Sequence, residues 1–372
     1  MMTKLYHQIG AYLFSEVISN QKNTLTDELI MEVGLSAENI LAPMRKTMVM
    51  KGMERWRGHI RDMVMSGTPA MQLLGARFTP TGIFRDDEDI YLSLKEKFRS
   101  CTDEFTKAAY ASTLFFFQAF SKDGSFRNEL GKYYGDTIKI QIPMLLRNYG
   151  TLAAARQALV SALADGTKKD KHWCYSLFYE NLPSSESEAE QITPIHQYPN
   201  IGRFLYKNLK EDALPEPVLE EVGLANADVI WPMKELVKQD PDSSDLLRKL
   251  ILSSYLEKRL VGAKLLGGAT DLAEKLYDLF DRLKQDFLSS ADIETKTVFA
   301  LTLPCFDVFQ LDADIQKQVM SFLEGSIDDQ IKIMKNYYGN IYNLKMILEN
   351  SVSGSYRPYL RPIAELILSK LK

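Results

Sequence analysis

"LIMEVGLSAENILAPMR", residues 29–45, recurs in altered form as "VLEEVGLANADVIWPMK", residues 218–234. When the comparison is widened to residues 24–45 against 213–234, seven of 22 positions are identical. Five of the other fifteen pairs exchange one apolar residue for another. The two stretches lie 189 positions apart, so the repeat concerns about half of the chain rather than a short motif.

Two further blocks match at the same spacing. Residues 106–117, "TKAAYASTLFFF", agree with residues 295–306, "TKTVFALTLPCF", at six of twelve positions, and "TIKIQIPMLLRNYG" from residue 137 lies over "SIDDQIKIMKNYYG" from residue 326. Three separated blocks at one offset are hard to attribute to shared helical composition.

The remaining matches set the boundaries of the repeat. "IGAYLF" at 9–14 matches "IGRFLY" at 201–206 with a three-residue shift, and "LLG" at 73–75 against 265–267 is the one correspondence in a poorly matched stretch. The polar segment "PSSESEAEQITP" has the composition of a solvated connector. We therefore predict a tandem duplication with copy one at residues 1–182, a linker at 183–194 and copy two at 195–372.

Apolar residues recur at helical spacing along both copies. In residues 271–287, "DLAEKLYDLFDRLKQDF", they fall at steps of three and four, which predicts one buried helix face. Alternating strand patterns are nearly absent: "TIKIQI" alternates for three cycles, but its counterpart "SIDDQI" does not. The pattern predicts an all-α fold in which this segment is also helical.

Glycine and proline divide these helices. Gly34 and Gly223 fit a left-handed position just after a helix, and nine residues later Pro43 and Pro232 either open a new helix or kink one under way. We assign structural roles to these four residues and to the two glycines that end the third matched block, Gly150 and Gly339.

Short helices joined by tight turns, with a proline interrupting one helix of a pair, resemble HEAT-like repeats. The resemblance is one of architecture, carried by the proline-interrupted helices rather than by a family motif. It implies an α-solenoid of antiparallel helix pairs, each covering the apolar face of its neighbour. Two compact helical bundles are the alternative.

Composition narrows the class of protein. Hydrophobic residues make up 45% and charged residues 25%, as in ordinary globular proteins, and the longest apolar run is too short to cross a bilayer. An N-terminus that lacks the signal-peptide pattern, three scattered cysteines and the lack of any Asn-x-Ser/Thr sequon favour a cytoplasmic location. We expect no membrane contact.

Motifs that carry chemistry are missing from the sequence. Cys-x-x-Cys, His-Glu-x-x-His and Gly-x-Ser-x-Gly do not occur, and no two of the four histidines stand three or four positions apart. We predict no catalytic residues, no metal site and no cofactor, and we favour a protein that is not an enzyme.

One stretch of copy one has a distinctive charge. Residues 45–61, "RKTMVMKGMERWRGHIR", contain six basic side chains against one acidic one, Glu54, whereas residues 234–249 of copy two contain four of each sign. The six candidate binding residues are Arg45, Lys46, Lys51, Arg55, Arg57 and Arg61. Copy one to residue 182 carries a net charge of +3 and the rest of the chain −7.

Two functions fit this pattern. A duplicated helical-repeat chain without catalytic motifs is typical of a scaffold that binds a protein partner. The alternative is a nucleic-acid-binding helical-repeat protein, with or without an enzymatic activity on a base, that uses residues 45–61. Its overall net charge of −4 speaks against the alternative, since dedicated nucleic-acid binders usually carry a strong positive field.

Overall fold

The computed structural model describes residues 4–19, 25–193, 196–267, 270–353 and 361–371. These residues form helices and connections without a β-strand, which confirms the all-α prediction. They divide into two compact units, Met1–Thr193 (unit 1) and Pro194–Lys372 (unit 2). Residues 194 and 195, at the predicted boundary of copy two, lie outside the described residues. Within the described ranges, no helix combines the length and apolarity needed to span a membrane.

Unit 1 contains twelve α-helices in its described residues. They are α1 (His7–Ser19), α2 (Asp27–Leu35), α3 (Glu38–Met50), α4 (Met53–Ser66), α5 (Pro69–Phe78), α6 (Glu88–Ser100), α7 (Glu104–Leu114), α8 (Gln118–Lys122), α9 (Gly124–Tyr149), α10 (Leu152–Ala164), α11 (His172–Glu180) and α12 (Glu186–Ile192). Helix α1 packs on α3, α2 and α4 pack on α5, and α5 and α6 pack on α7.

The described part of unit 2 also contains twelve. They are α13 (Pro199–Lys210), α14 (Glu216–Gly223), α15 (Ala227–Gln239), α16 (Ser243–Ile251), α17 (Leu256–Leu266), α18 (Thr270–Lys275), α19 (Phe280–Ser289), α20 (Ile293–Thr302), α21 (Ala313–Gly325), α22 (Ile327–Tyr337), α23 (Ile341–Ser353) and α24 (Arg361–Lys370). The pairings of unit 1 recur here: α13 packs on α15, α14 and α16 on α17, and α17 and α19 on α20.

A proline inside α3 fixes how α1 lies on it. Pro43 has no N–H, so the carbonyl of Asn39, four residues earlier, has no donor within the helix. The backbone N–H of Tyr6 donates to that carbonyl at 2.9 Å. One turn into α1, a Cβ added at Gly10 would lie 2.7 Å from the Pro43 Cβ, so the close approach of the two helices requires glycine.

Unit 2 contains the same arrangement. Pro232 lies inside α15, and the carbonyl that it leaves without a helical donor, that of Asp228, accepts from the N–H of Tyr198 at 2.8 Å. A Cβ at Gly202 would again lie 2.7 Å from the proline Cβ. Of the two outcomes that the sequence left open, both prolines therefore interrupt a helix rather than open one.

The roles predicted for Gly34 and Gly223 were wrong. Gly34 lies within α2 and Gly223 is the last residue of α14, and neither has a positive φ. They allow close packing instead. A Cβ added at Gly34 would lie 3.0 Å from Cγ of Leu73, and a Cβ added at Gly223 would lie 2.7 Å from Cγ of Leu260. The glycine-leucine contact joins α2 to α5 in one unit and α14 to α17 in the other.

The left-handed glycines are those of the third matched block. Gly150 ends α9 with a φ of 77° and donates its N–H to the Leu146 carbonyl at 2.7 Å. Gly339 has a φ of 85° after α22. A side chain at either position would strain the backbone.

The match of "LLG" at 73–75 with 265–267 was also wrong. Gly75 faces Val64, whose Cγ2 would be 3.0 Å from an added Cβ, and Gly262 faces Ile251, whose Cγ1 would be 2.7 Å away. "LLGAR" at 73–77 therefore corresponds to "LVGAK" at 260–264, at an offset of 187 rather than 192.

The segment with the strand-like pattern is helical, as predicted, but it contains a kink. Thr137 has non-helical angles (φ −113°) inside α9, and at the matching place Ser326 (φ −121°) separates α21 from α22. A buried amide contacts each hydroxyl: Nε2 of Gln141 lies 3.3 Å from the Thr137 Oγ1, and Nε2 of Gln330 lies 3.1 Å from the Ser326 Oγ. Both units thus interrupt equivalent helical segments at the same point, by a kink in α9 and by the break between α21 and α22.

The segment 183–194, predicted as a solvated linker, is folded where the structure describes it. Residues 186–192 form α12, which packs on α9 and α10 and buries Ala189. The Glu186 carboxylate accepts from the Leu152 N–H at 3.2 Å. Counted with this segment, unit 1 has 23 Lys and Arg against 23 Asp and Glu, so the charge difference seen at the sequence level is smaller between the folded units.

Replacing Gly10 or Gly202 with alanine should lower the free energy of unfolding by about 1–3 kcal/mol, because the new methyl group would overlap a proline ring that cannot move away. Gly135→Ala and Gly325→Ala are matched controls in helices of units 1 and 2, where an added Cβ meets nothing within 4 Å. The controls should be neutral, or stabilising by about 0.5–1 kcal/mol. Urea unfolding measures all four. Equal effects at the packed and open glycines would contradict the close approach.

Candidate functional site

The basic residues 45–61 occupy the end of α3, a two-residue turn and α4. Lys51 caps the C-terminus of α3, and Gly52, with a φ of 89°, reverses the chain before α4. The six candidate cations therefore lie on two helices and the turn between them. They do not form one continuous face, and each has its own environment.

Arg45 belongs to an internal cluster. Its guanidinium bonds to the Glu38 carboxylate and donates to the Arg77 carbonyl at 3.2 Å, and only 19% of the side chain is exposed. Arg77 lies beside the same Glu38 at 3.6 Å and donates to the Ser112 hydroxyl at 2.9 Å. Burial lowers the pKa of Arg77 to about 10. Arg45 is therefore part of the contact between α3 and α5 rather than of a binding surface.

Arg61, with 38% of its side chain exposed, is paired with the acidic residues around the start of α6. It donates to Asp87 at 2.7 Å and to Asp89 at 2.8 Å, and both carboxylates raise the pKa of Arg61, with Asp89 as the first cause. Asp87 at the same time caps α6 by accepting from the Ile90 N–H at 3.1 Å. The acidic residues thus stabilise a helix start and tie it to α4.

Unit 2 repeats this ion pair between Arg248 of α16 and Asp278. The pair joins the same two regions of the fold in both units, so it serves the architecture. Of the predicted binding set, Arg45 and Arg61 accordingly have structural partners.

Four of the six cations are exposed. The Lys51 ammonium lies 3.3 Å from the Ser15 hydroxyl and 6.0 Å from the Phe14 ring, and the Arg55 guanidinium lies 5.1 Å from the Trp56 ring. The others are Lys46 and Arg57, and Arg57 approaches Glu54 at 3.9 Å. Such exposed pairs contribute little to stability, so these cations remain available to a partner.

Two apolar side chains stand between these cations. Val49 is 49% exposed and Met50 is 77% exposed, and Met50 lies one helical turn after Lys46 on the same side of α3. We define the α3–α4 corner as the five exposed residues Lys46, Val49, Met50, Lys51 and Arg55. Sequence reasoning missed Val49 and Met50, because it considered only the charged residues of this stretch.

Beneath the corner lies an unsatisfied donor. Trp56 is 8% exposed and packs edge-on against Phe14, with ring centroids 5.6 Å apart. Its indole Nε1 is buried and meets no hydrogen-bond acceptor among the residues that the structure describes. A buried donor without a partner costs about 1–3 kcal/mol, which is unusual in a folded core.

The equivalent corner of unit 2 is built differently. Asp240 caps α15 at the position where Lys51 caps α3. It accepts hydrogen bonds from the Tyr206 hydroxyl at 2.8 Å and from Lys210 at 2.6 Å. Lys210 holds the pKa of Asp240 below its usual range. The fold therefore does not require cations or exposed apolar side chains at this turn.

No other constellation in the described residues indicates catalysis or metal binding. Among them, no group of three or more His, Cys, Asp and Glu side chains is arranged to hold a metal ion. The cysteines Cys101, Cys174 and Cys305 are not joined by disulfide bonds.

Comparison with known proteins does not place the chain in a family. No protein-family model matches it, and the search of curated proteins returns no match. A crystal structure of an engineered protein aligns with 93% of this chain and 99% of its own at 15% identity, with a TM-score of 0.23. That likeness is too low to support an argument about fold or function.

Replacing Arg61 with alanine should lower the free energy of unfolding measurably, because Asp87, whose side chain is only 10% exposed, loses its partner. Lys46→Ala, at an exposed site of the neighbouring helix, should stay within about 0.5 kcal/mol. Urea unfolding of both variants checks the difference. If Arg61 proved as neutral as Lys46, it would return to the set of candidate binding residues.

Proposed function

We propose that this chain is a non-catalytic scaffold that binds a protein partner through the α3–α4 corner of unit 1. The observation that carries the proposal is the pairing of exposed apolar with exposed cationic side chains. Met50 and Val49 protrude beside Lys46, Lys51 and Arg55. Exposed apolar side chains surrounded by charge are typical of protein interfaces, whose centre is apolar and whose rim is polar.

A nucleic-acid partner has less support. Arg45 and Arg61 are already paired with carboxylates, which leaves four exposed cations on two helices. Unit 1 as a whole has equal numbers of basic and acidic residues. Binding to phosphates draws on the positive field of a whole surface, which this unit lacks.

The architecture proposed with this function is a HEAT-like α-solenoid of antiparallel helix pairs that arose by tandem duplication. Support comes from contacts that recur about 189 residues apart: the proline-glycine approach, the kinks at Thr137 and Ser326, and the ion pairs of Lys95 with Asp123 and of Lys284 with Asp312, each 2.5 Å long. A cytoplasmic location remains the proposal made from the cysteine pattern of the sequence.

The test is affinity capture from a lysate of the source cells, with the immobilised full chain and with nuclease added. The variant Lys51→Glu/Arg55→Glu should lose a nuclease-resistant protein at least about tenfold, because each reversed charge repels an acidic partner. A charge-matched control, Lys207→Glu/Lys317→Glu, changes two exposed lysines of unit 2 and should retain it.

Circular dichroism of both variants establishes that the helices are intact. Equal capture by the wild type and the corner variant would reject the α3–α4 corner as the binding surface. Material that disappears on nuclease treatment would favour the nucleic-acid function instead.

A further inference from the structure

A cleft of about 640 Å³ opens on unit 2, within the range of binding clefts. It lies between the start of α19, with the 3-10 turn before it, and the turn that leads into α21. Its lining includes Tyr277, Asp278, Asp281, Leu311, Asp312 and Asp314.

Two of the four aspartates in the cleft are committed to the fold. Asp278 pairs with Arg248, and Asp312 bonds to Lys284 at 2.5 Å and caps α21 through the Ile315 N–H at 3.0 Å.

The other two aspartates remain available. Asp281 and Asp314 are exposed, and in the part of the chain that the structure describes neither forms an ion pair within 4 Å. The cleft therefore keeps two carboxylates for a cationic partner.

Two apolar side chains project at the same place. Leu311 is 87% exposed, the most among the large hydrophobic residues of the described chain, and Tyr277 is 67% exposed. The buried ring of Phe280 lies between them in sequence and adds apolar surface to the lining. Like the α3–α4 corner, the cleft combines exposed apolar side chains with charged ones. Its charges are negative, whereas those of the corner are positive.

Unit 1 shows that the fold does not demand these features. The Lys95–Asp123 ion pair of unit 1 is the counterpart of the Lys284–Asp312 pair, so this structural contact is present in both units. At the positions 189 residues before Leu311, Asp314 and Asp281, however, unit 1 has Lys122, Ser125 and Leu92. The carboxylates and the protruding leucine are therefore particular to unit 2.

We propose that this cleft receives the α3–α4 corner of a second copy of the chain, so that copies associate head to tail. Met50 and Val49 would contact Leu311 and Tyr277, and the ammonium and guanidinium groups of the corner would face Asp281 and Asp314. The inference rests on the proposed function, for which it names the partner. Because the two surfaces are different, a pair joined by one such contact keeps a free cleft on one copy and a free corner on the other, and association can continue into open chains.

The contact joins one helix corner to one cleft, which is small for a protein interface, so association should be weak and should need a concentrated sample. Its charged groups are exposed and therefore screened by salt. We expect the apparent dissociation constant to rise at least about tenfold between about 0.05 M and about 0.5 M salt.

The experiment is analytical ultracentrifugation of the full chain over a concentration series at low and high salt. One variant reverses the corner (Lys51→Glu/Arg55→Glu) and another reverses the cleft (Asp281→Lys/Asp314→Lys). Each variant alone should remain monomeric at low salt, because its corner and its cleft then carry charges of the same sign. An equimolar mixture should associate again, because the acidic corner of one variant then meets the basic cleft of the other.

The matched control is Ser125→Lys, at the unit 1 position that corresponds to Asp314, and it should associate like the wild type. All altered residues are exposed, and circular dichroism checks that each variant folds. A wild-type chain that is monomeric at every concentration would overturn the proposal, as would association that survives reversal of the cleft or a mixture that stays monomeric. If the corner variant still lost its captured protein from lysate, the proposed function would stand while self-association failed.

Discussion

The contact between a glycine in the first helix and a proline in the third fixes how each unit begins. A proline inside a helix leaves one carbonyl without its donor, and an unpaired buried carbonyl is costly. In this protein the chain that precedes α1 or α13 supplies the missing N–H, from Tyr6 or Tyr198. The hydrogen bond brings the two helices so close that only Gly10 or Gly202 leaves room for the proline ring. The carbonyl that proline leaves unpaired in one helix is thus the point at which the other helix packs.

The two units differ less in the contacts of their cores than in the charges on their surfaces. The glycines that face leucine, the bent helix and the lysine-aspartate pair under its start are present in both. At the turn after the proline-containing helix, by contrast, unit 1 has Lys51 and unit 2 has Asp240. Core positions are constrained by every neighbour they touch, whereas an exposed side chain is constrained only by what binds to it.

Functional contacts are therefore expected on exposed surfaces. The two candidate surfaces, the α3–α4 corner of unit 1 and the cleft of unit 2, are both small. The α3–α4 corner combines cations with Met50, and the cleft of unit 2 combines carboxylates with Leu311. Neither surface resembles a catalytic centre, and each alone offers the modest area of a transient contact. A scaffold that relies on several weak and oppositely charged contacts would be sensitive to ionic strength.

The sequence by itself determined the helical class, the equivalent positions of Pro43 and Pro232 and the correspondence of three blocks, because helix periodicity and proline chemistry are local. It also located the basic stretch 45–61. It did not determine that Gly34 and Gly223 make room for leucines, that Gly75 corresponds to Gly262, or that residues 186–192 form a helix against α9 and α10.

The tertiary structure alone decided which members of the basic stretch have acidic partners within the fold. Arg45 and Arg61 look like their neighbours in the sequence, but Arg45 pairs with Glu38 at the start of α3, and Arg61 pairs with Asp87 at the cap of α6. Likewise, nothing in an apolar run distinguishes Met50, which is exposed, from Met48, which is buried. The physical reason is that periodicity reports which residues share a face of one helix, whereas burial and charge pairing depend on which other helix covers that face.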